Sequence, residues 1–133
     1  MRIGFVNGCF DILHLGHIAL FEFAKKHCDH LIVAIDSDKR VSLNKGPNRP
    51  INNALDREGM LRAIKYIDDV KTFSTDLELT NLVKLISPDI MIVGNDWEGK
   101  TVIGSEHAKQ LKFFRKIDGY STTKTVKDIG SRR

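Results

Sequence analysis

Two segments of this 133-residue chain, residues 30–35 (HLIVAI) and 90–93 (IMIV), are apolar without alternation. A strand with one wet face alternates apolar and polar residues, so unbroken runs of this kind belong to strands covered on both sides. A sheet is covered on both sides when helices cross back over it between parallel strands. The rest of the chain supplies that alternation. Residues 2–6 (RIGFV) read as a first strand, ended by Asn7-Gly8, and residues 14–26 carry Ile18, Leu20, Phe21 and Ala24 at helical spacing. Further strands are predicted at 69–73 and 111–114. Helices are predicted at 54–66, with Asn53 as N-cap, at 76–86, with Leu79, Leu82, Val83 and Ile86 on one face, and briefly at 105–110. Residues 39–53 hold Gly46, Pro47, Pro50 and several asparagines and read as a long loop, expected to order over a ligand. A last helix is expected after Gly119-Tyr120, capped by Ser121 or Thr122. The fold class is α/β, three layers around a five-stranded parallel sheet, in a single domain over residues 1–133.

Lys and Arg number 21 against 17 Asp and Glu, a net charge of +4. The basic residues are spread along the chain rather than interleaved with aromatics in a stripe, which argues against a nucleic-acid partner. Some of them are expected to face the phosphates of a small anionic substrate. Cys9 and Cys28 have neither metal-ligand spacing nor a histidine cluster and read as reduced thiols of a cytoplasmic protein. No stretch approaches the roughly 20 apolar residues of a membrane span.

Open parallel sheets bind ligands beyond the carboxyl ends of their strands. The segments that follow strands here are 7–17, 36–50, 94–104 and 117–123. The first reads Asn7-Gly8-Cys9-Phe10-Asp11-Ile12-Leu13-His14-Leu15-Gly16-His17. It leads into a helix N-terminus, where unpaired amides and positive partial charge favour a phosphate. His14 and His17 share one side of a helical turn, and Gly16 leaves room between them for a ligand. Imidazoles so placed can donate to phosphate oxygens and to charge that develops during transfer. The third segment contains Gly94-Asn95-Asp96-Trp97, following the most apolar strand, where a base or ribose would sit. Trp97, the only tryptophan, can stack on a base or close over a substrate.

The His14-Leu15-Gly16-His17 stretch resembles the nucleotidyltransferase superfamily marked by the HxGH motif, and within it the small cytidylyltransferase-like branch. The resemblance runs from about Gly4 to Ile129 and includes Gly119-Tyr120-Ser121-Thr122-Thr123, similar to the superfamily's G-x-S-T-T signature. Heptose 1-phosphate adenylyltransferases and glycerol-3-phosphate cytidylyltransferases are the nearest groups. The resemblance implies a Rossmann-like version of the fold. It implies that His14 and His17 contact the triphosphate and stabilise the transition state, with Lys45 and Arg57 as further catalytic cations. It implies nucleotide contacts from Asn7, Gly8, Cys9, Phe10, Asp11, Gly16, Gly94, Asp96 and Trp97, and from Ser121 and Thr122 at the last helix. Lys116 stands where cytidylyltransferases commonly carry arginine. Asp11 is the expected carboxylate for Mg²⁺, which would be held mainly by the triphosphate.

The implied reaction needs no general base, because the acceptor's phosphate is already ionised. That phosphate attacks the α-phosphorus of a nucleoside triphosphate and pyrophosphate leaves. Residues 36–57 favour adenylyl transfer to a sugar 1-phosphate, heptose 1-phosphate first. The loop Gly94-Asn95-Asp96-Trp97-Glu98-Gly99-Lys100 favours the alternative, cytidylyl transfer to glycerol 3-phosphate. A nucleotide-binding module without turnover is a further alternative. No membrane partner is expected, and the relatives' habit implies a homodimer.

Overall fold

The computed structural model describes residues 1–115, so Lys116, Ser121, Thr122 and the expected last helix lie outside the described residues. Five strands, β1 (Ile3–Gly8), β2 (His30–Asp36), β3 (Asp69–Phe73), β4 (Ile90–Gly94) and β5 (Leu111–Phe114), form one sheet in the order β3-β2-β1-β4-β5. Every pairing is parallel. The helices are α1 (Leu15–Lys26), α2 (Asp38–Lys45), α3 (Ala54–Arg62) and α4 (Asp76–Ile86).

The unbroken apolar runs feed two cores. Leu31, Val33 and Ile35 of β2 and Ile90 and Ile92 of β4 join Phe21 and Ala24 of α1 and Leu61 of α3 on one face. Ile32 and Ala34 of β2 and Met91 and Val93 of β4 join Leu79 and Val83 of α4 on the other. Successive residues of a strand point to opposite faces, so a strand buried on both sides needs no polar position. This is the three-layer α/β arrangement that the runs predict, in the Rossmann-like version that the resemblance implies.

α4 begins with a reciprocal cap. The Thr75 hydroxyl accepts from the Glu78 amide at 3.0 Å, and the Glu78 carboxylate accepts from the Thr75 amide at 3.0 Å. It ends at Ser87 in a left-handed turn, φ 47°, ahead of Pro88. At the amino end of the sheet, carboxylates close the edge. Asp89 accepts from the Ile3 amide at 2.7 Å and Asp68 from the Leu31 amide at 2.8 Å.

Four expectations need correction. Residues 39–53 are not one long loop, because α2 occupies Asp38–Lys45. That helix buries a single side chain, Val41, and starts from Ser37, whose hydroxyl accepts from the Arg40 amide. With one apolar contact there is no stripe for a periodicity reading to detect. β1 extends to Gly8 because its pairing with β2 continues to Ile35. α3 ends at Arg62, where the Ala63 and Ile64 amides turn back to Met60 and Leu61. The helix expected at 105–110 is a short 3₁₀ turn, Ser105–His107.

Candidate active site

β1 is the strand from which the order runs both ways, outward to β2 and β3 and outward to β4 and β5. The crevice between β1 and β4, beyond their carboxyl ends, is therefore the place where such a sheet can admit a ligand. A cavity of about 500 Å³ lies there, lined at the strand ends by Asn7 and Gly8 and by Val93 and Gly94.

The loop after β1 turns back through Phe10, whose φ of 49° is in the left-handed region. The turn lays the Phe10 ring against Gly8, where a Cβ would sit 2.9 Å from the ring. Gly8 is thus required by close approach. The Phe10 ring meets His17 edge-on, with centroids 5.1 Å apart, and meets Phe21 of the core at 5.1 Å. Phe10 is buried, packs against His17 and also lines the cavity.

His14 is the N-cap of α1 and His17 lies in its first turn. Their rings stack with centroids 3.7 Å apart at 18°. The His14 amide donates to Nδ1 of His17 at 3.3 Å. An imidazole that accepts at Nδ1 carries its proton at Nε2, so Nε2 is the donor nitrogen of the His17 ring. Both rings and Gly16 line the cavity, beside the helix end whose first amides have no partner within the helix.

Of the other predicted residues, Cys9, Lys45 and Trp97 also reach the cavity wall. Burial is the main influence on the Cys9 thiol and pushes its pKa up, with Lys45 and Arg57 opposing. The thiol is therefore a poor nucleophile at neutral pH. Trp97 ends a 3₁₀ turn after β4 and is 45 % exposed at the rim. Asp96 is exposed and is not among the residues lining the cavity.

Arg57 and Asp11 depart from expectation. Arg57 is buried beneath the cavity. It donates to the carbonyls of Cys9, Asp36 and Asn52 at 2.8–2.9 Å and to the Asp38 carboxylate at 2.8 Å. Most of its N–H donors are engaged by protein atoms, so it ties the two strand-end loops together, and it is not among the residues that line the cavity. Asp11 is likewise buried. Its carboxylate accepts from the Ile51 amide at 2.9 Å, the Asn52 amide at 2.8 Å and Arg49 Nε at 2.8 Å. Neither the nucleotide contact nor the metal contact expected of Asp11 fits that geometry. Burial acts to raise its pKa, but the amides of Asn52 and Ile51 and the Arg49 guanidinium outweigh it and hold the carboxyl below its usual range.

The sequence reading did not single out Asp36, Arg40, Asn44 or Arg49. The first three line the cavity. Asp36 sits 3.3 Å from Arg40, which also reaches Asp76 at 2.7 Å and lies over the Phe73 ring at 5.2 Å. Burial is the largest influence on Asp36 and raises its pKa, against Arg40 and Lys45. The available signal was the charged run Asp36-Ser37-Asp38-Lys39-Arg40 directly after a fully apolar strand. Among the described residues no three His, Cys, Asp or Glu side chains gather to hold a metal, and Asp36 is the one carboxylate in the cavity wall. Among the described residues no helix is long and apolar enough to cross a membrane.

A strand-order reversal, a helix mouth and two stacked histidines define a Rossmann-like α/β protein with a ligand cavity at its switch point, and comparison makes the class specific. The model of the cytidylyltransferase-like family matches residues 5–129, and the chain belongs to that family. It is similar to the bifunctional protein HldE of Sulfurimonas denitrificans, 47% identical over 128 residues that cover 96% of this chain and 27% of the relative. HldE of Campylobacter fetus is 46% identical over 125 residues, 94% of this chain and 27% of the relative. The chain thus spans about a quarter of the length of these relatives. Among solved structures, the lipopolysaccharide core biosynthesis protein of Thermoplasma volcanium superposes with a TM-score of 0.70 at 25% identity, covering 86% of this chain and 98% of that one. Pantoate-beta-alanine ligase of Francisella tularensis shares the fold, with a TM-score of 0.59 at 16% identity over 98% of this chain and 69% of its own.

Proposed function

We propose that this chain is a nucleotidyltransferase that moves the nucleoside monophosphate of a triphosphate onto a phosphorylated small molecule, adenylyl transfer to heptose 1-phosphate first. The observation that carries the reading is the stacked His14–His17 pair at the mouth of α1, opening into the cavity where the strand order reverses. The relatives named HldE favour the adenylyl side of the resemblance.

An oxygen of the acceptor's phosphate attacks the α-phosphorus, a new P–O bond forms, and the bond to the β-phosphate breaks to release pyrophosphate. No proton has to be removed from the nucleophile. The protein's contribution is position and charge. The helix mouth and Gly16 admit the triphosphate. His17 donates from Nε2 to the charge that develops on the transferring group, and its Nδ1 bond to the His14 amide fixes that tautomer. Lys45, at the end of α2, shares the negative charge. Mg²⁺ would neutralise part of the triphosphate's charge, and the described side chains fit an ion carried in on the phosphates rather than one caged by protein. Ser121 and Thr122 belong to the same reading as further phosphate contacts, as do a homodimer and a cytoplasmic location.

The test is pyrophosphate release over four nucleoside triphosphates crossed with sugar and polyol phosphates. ATP with a sugar 1-phosphate should lead, with ATP over CTP by roughly 10²-fold in kcat/KM. CTP with glycerol 3-phosphate turning over faster would replace the substrate pair, and no release with any pair would contradict the reaction.

A further inference from the structure

The turn that leads into His14 and His17 is held from outside. Phe10 has φ 49°, and the left-handed region is costly for a bulky side chain. Such a conformation persists only where the surroundings over-determine it. β1 ends at Gly8 and α1 begins at Leu15, so Phe10 lies in neither element. The restraint comes from residues 49–52. Asp11, directly after Phe10, accepts at its carboxylate from Arg49 Nε at 2.8 Å and from the Asn52 amide at 2.8 Å. Its carbonyl accepts from Asn52 Nδ2 at 2.7 Å. Asn52 is anchored in turn, because its own carbonyl accepts from Arg57 Nε at 2.9 Å. Arg57 also holds the Cys9 carbonyl at 2.9 Å, so the residues on both sides of Phe10 are pinned.

The clamp bears on His17 by two routes. The Phe10 ring meets the His17 ring edge-on, with centroids 5.1 Å apart, so a shift of Phe10 moves the surface against which His17 packs. Asp11 also stands three residues before His14, whose amide donates to Nδ1 of His17 at 3.3 Å. That bond is at the long end of the range, so a small displacement of the turn breaks it and lets the ring exchange tautomers. Arg49 is 7 % exposed, and a buried ion pair adds little stability over an apolar pair of the same volume. It does fix where the carboxylate sits, and a group that acts on a transition state needs its support fixed to within a fraction of an ångström.

We infer that Arg49 and Asn52 are positioning residues: through Asp11 they hold the turn at Phe10, and with it the orientation and tautomer of the His17 ring. Neither is among the residues that line the cavity, so both act at a remove from any ligand there. The inference rests on the transferase reading for what His17 does, and on the hydrogen bonds alone for how His17 is held.

A double-mutant cycle in the full chain tests it. Asn52→Ala removes the bond to the Asp11 carbonyl and keeps the main-chain contacts of residue 52. Arg49→Met removes the guanidinium, and Arg49→Lys restores a single donor. Each is made in wild type and in His17→Ala. Pyrophosphate release with ATP and a sugar 1-phosphate is followed, together with the nitrogen NMR shifts of the His17 ring in the proteins that keep it. In wild type, Asn52→Ala and Arg49→Met should lower kcat by about 10–100-fold, with KM for ATP within about threefold. Arg49→Lys should recover part of that loss. In His17→Ala the same changes should cost less than about twofold, because the group they position is gone. The two ring nitrogens of His17, distinct in wild type, should move toward a common shift in the variants as the tautomers mix. An equal loss in both backgrounds overturns the inference, as does kcat within about twofold of wild type in either folded variant, or ring shifts that match wild type. If Arg49→Met does not fold, Asn52→Ala decides alone. If wild type releases no pyrophosphate with any pair, the transferase reading falls, and the ring shifts decide the positioning.

Discussion

Asp11 lies just after β1 and Asp36 ends the neighbouring strand β2, and both are largely withdrawn from water, yet they meet opposite fates. Asp11 is wrapped by the segment after α2, and its partners outweigh the desolvation that burial imposes. Asp36 faces the cavity, and burial outweighs Arg40 and Lys45, so its pKa is raised. The first is an acid the fold has satisfied, and it stabilises. The second is an acid held at a cost in stability, the pattern expected where a ligand will complete the partnership. The region around Asp11 is thus scaffold, and the region around Asp36 is site.

The largest expected effect breaks the scaffold side. Asp11→Ala leaves Arg49, 7 % exposed, without its carboxylate. Urea unfolding should show a loss of about 3–5 kcal/mol. A loss under about 1 kcal/mol would mean that the pair is not what holds the 49–52 segment. Arg57→Lys comes next, because lysine cannot supply the forked donors that join Cys9, Asn52, Asp36 and Asp38. It should cost about 1–3 kcal/mol, and should lower kcat/KM as well since both loops hang from it. Full activity in a destabilised Arg57→Lys would show that the loops keep their places without the fork.

The smallest effect separates the two acids by sign. A raised folded pKa gives Asp36 a stabilising contribution that is full below its unfolded pKa of about 3.9 and lost as pH rises through the folded value. A lowered folded pKa gives Asp11 a contribution present above that unfolded value and lost as pH falls through the folded one. Asp36→Asn at pH 7 should therefore leave stability unchanged or raise it by up to about 1 kcal/mol, and should abolish the gain seen on acidifying from neutrality toward about pH 4. Asp11→Asn should flatten the fall below about pH 4. Urea midpoints across pH for the three proteins check this, and an Asp36→Asn less stable than wild type at pH 7 would merge the two acids into one class.

The sheet was legible because its strands are buried on both faces, which leaves unbroken apolar runs. The bounds of β3, α4 and β5 coincide with those read from the sequence, since α4 carries its own stripe and cap. α2 was not legible, because Val41 is its only buried side chain and its start depends on the Ser37 hydroxyl. That His14, Gly16 and His17 would share one cavity wall was legible from their spacing, as helix geometry puts them on one side. Asp11 and Arg57 were legible as unusual residues but not as scaffold. What decides their roles is Arg49 for the one and the Cys9 and Asp36 carbonyls for the other, contacts that span 21 to 48 residues. Asp36 and Arg40 fell inside a segment marked as suspicious, 36–50, where Arg40 read as part of a loop. The helical turn that brings Arg40 back to Asp36 was missing from that reading.

The stacked histidines are proposed to serve the transition state of nucleotidyl transfer. The direct measurement is kcat for His17→Ala, with nucleotide affinity followed in the same protein through Trp97, the single tryptophan at the cavity rim. Loss of one preorganised donor should lower kcat by about 10²–10³-fold. The dissociation constant for ATP should move by less than about threefold, because the helix mouth and the other contacts remain. A His17→Ala enzyme with kcat within about threefold of wild type, or one whose whole loss lies in nucleotide affinity, would contradict the account.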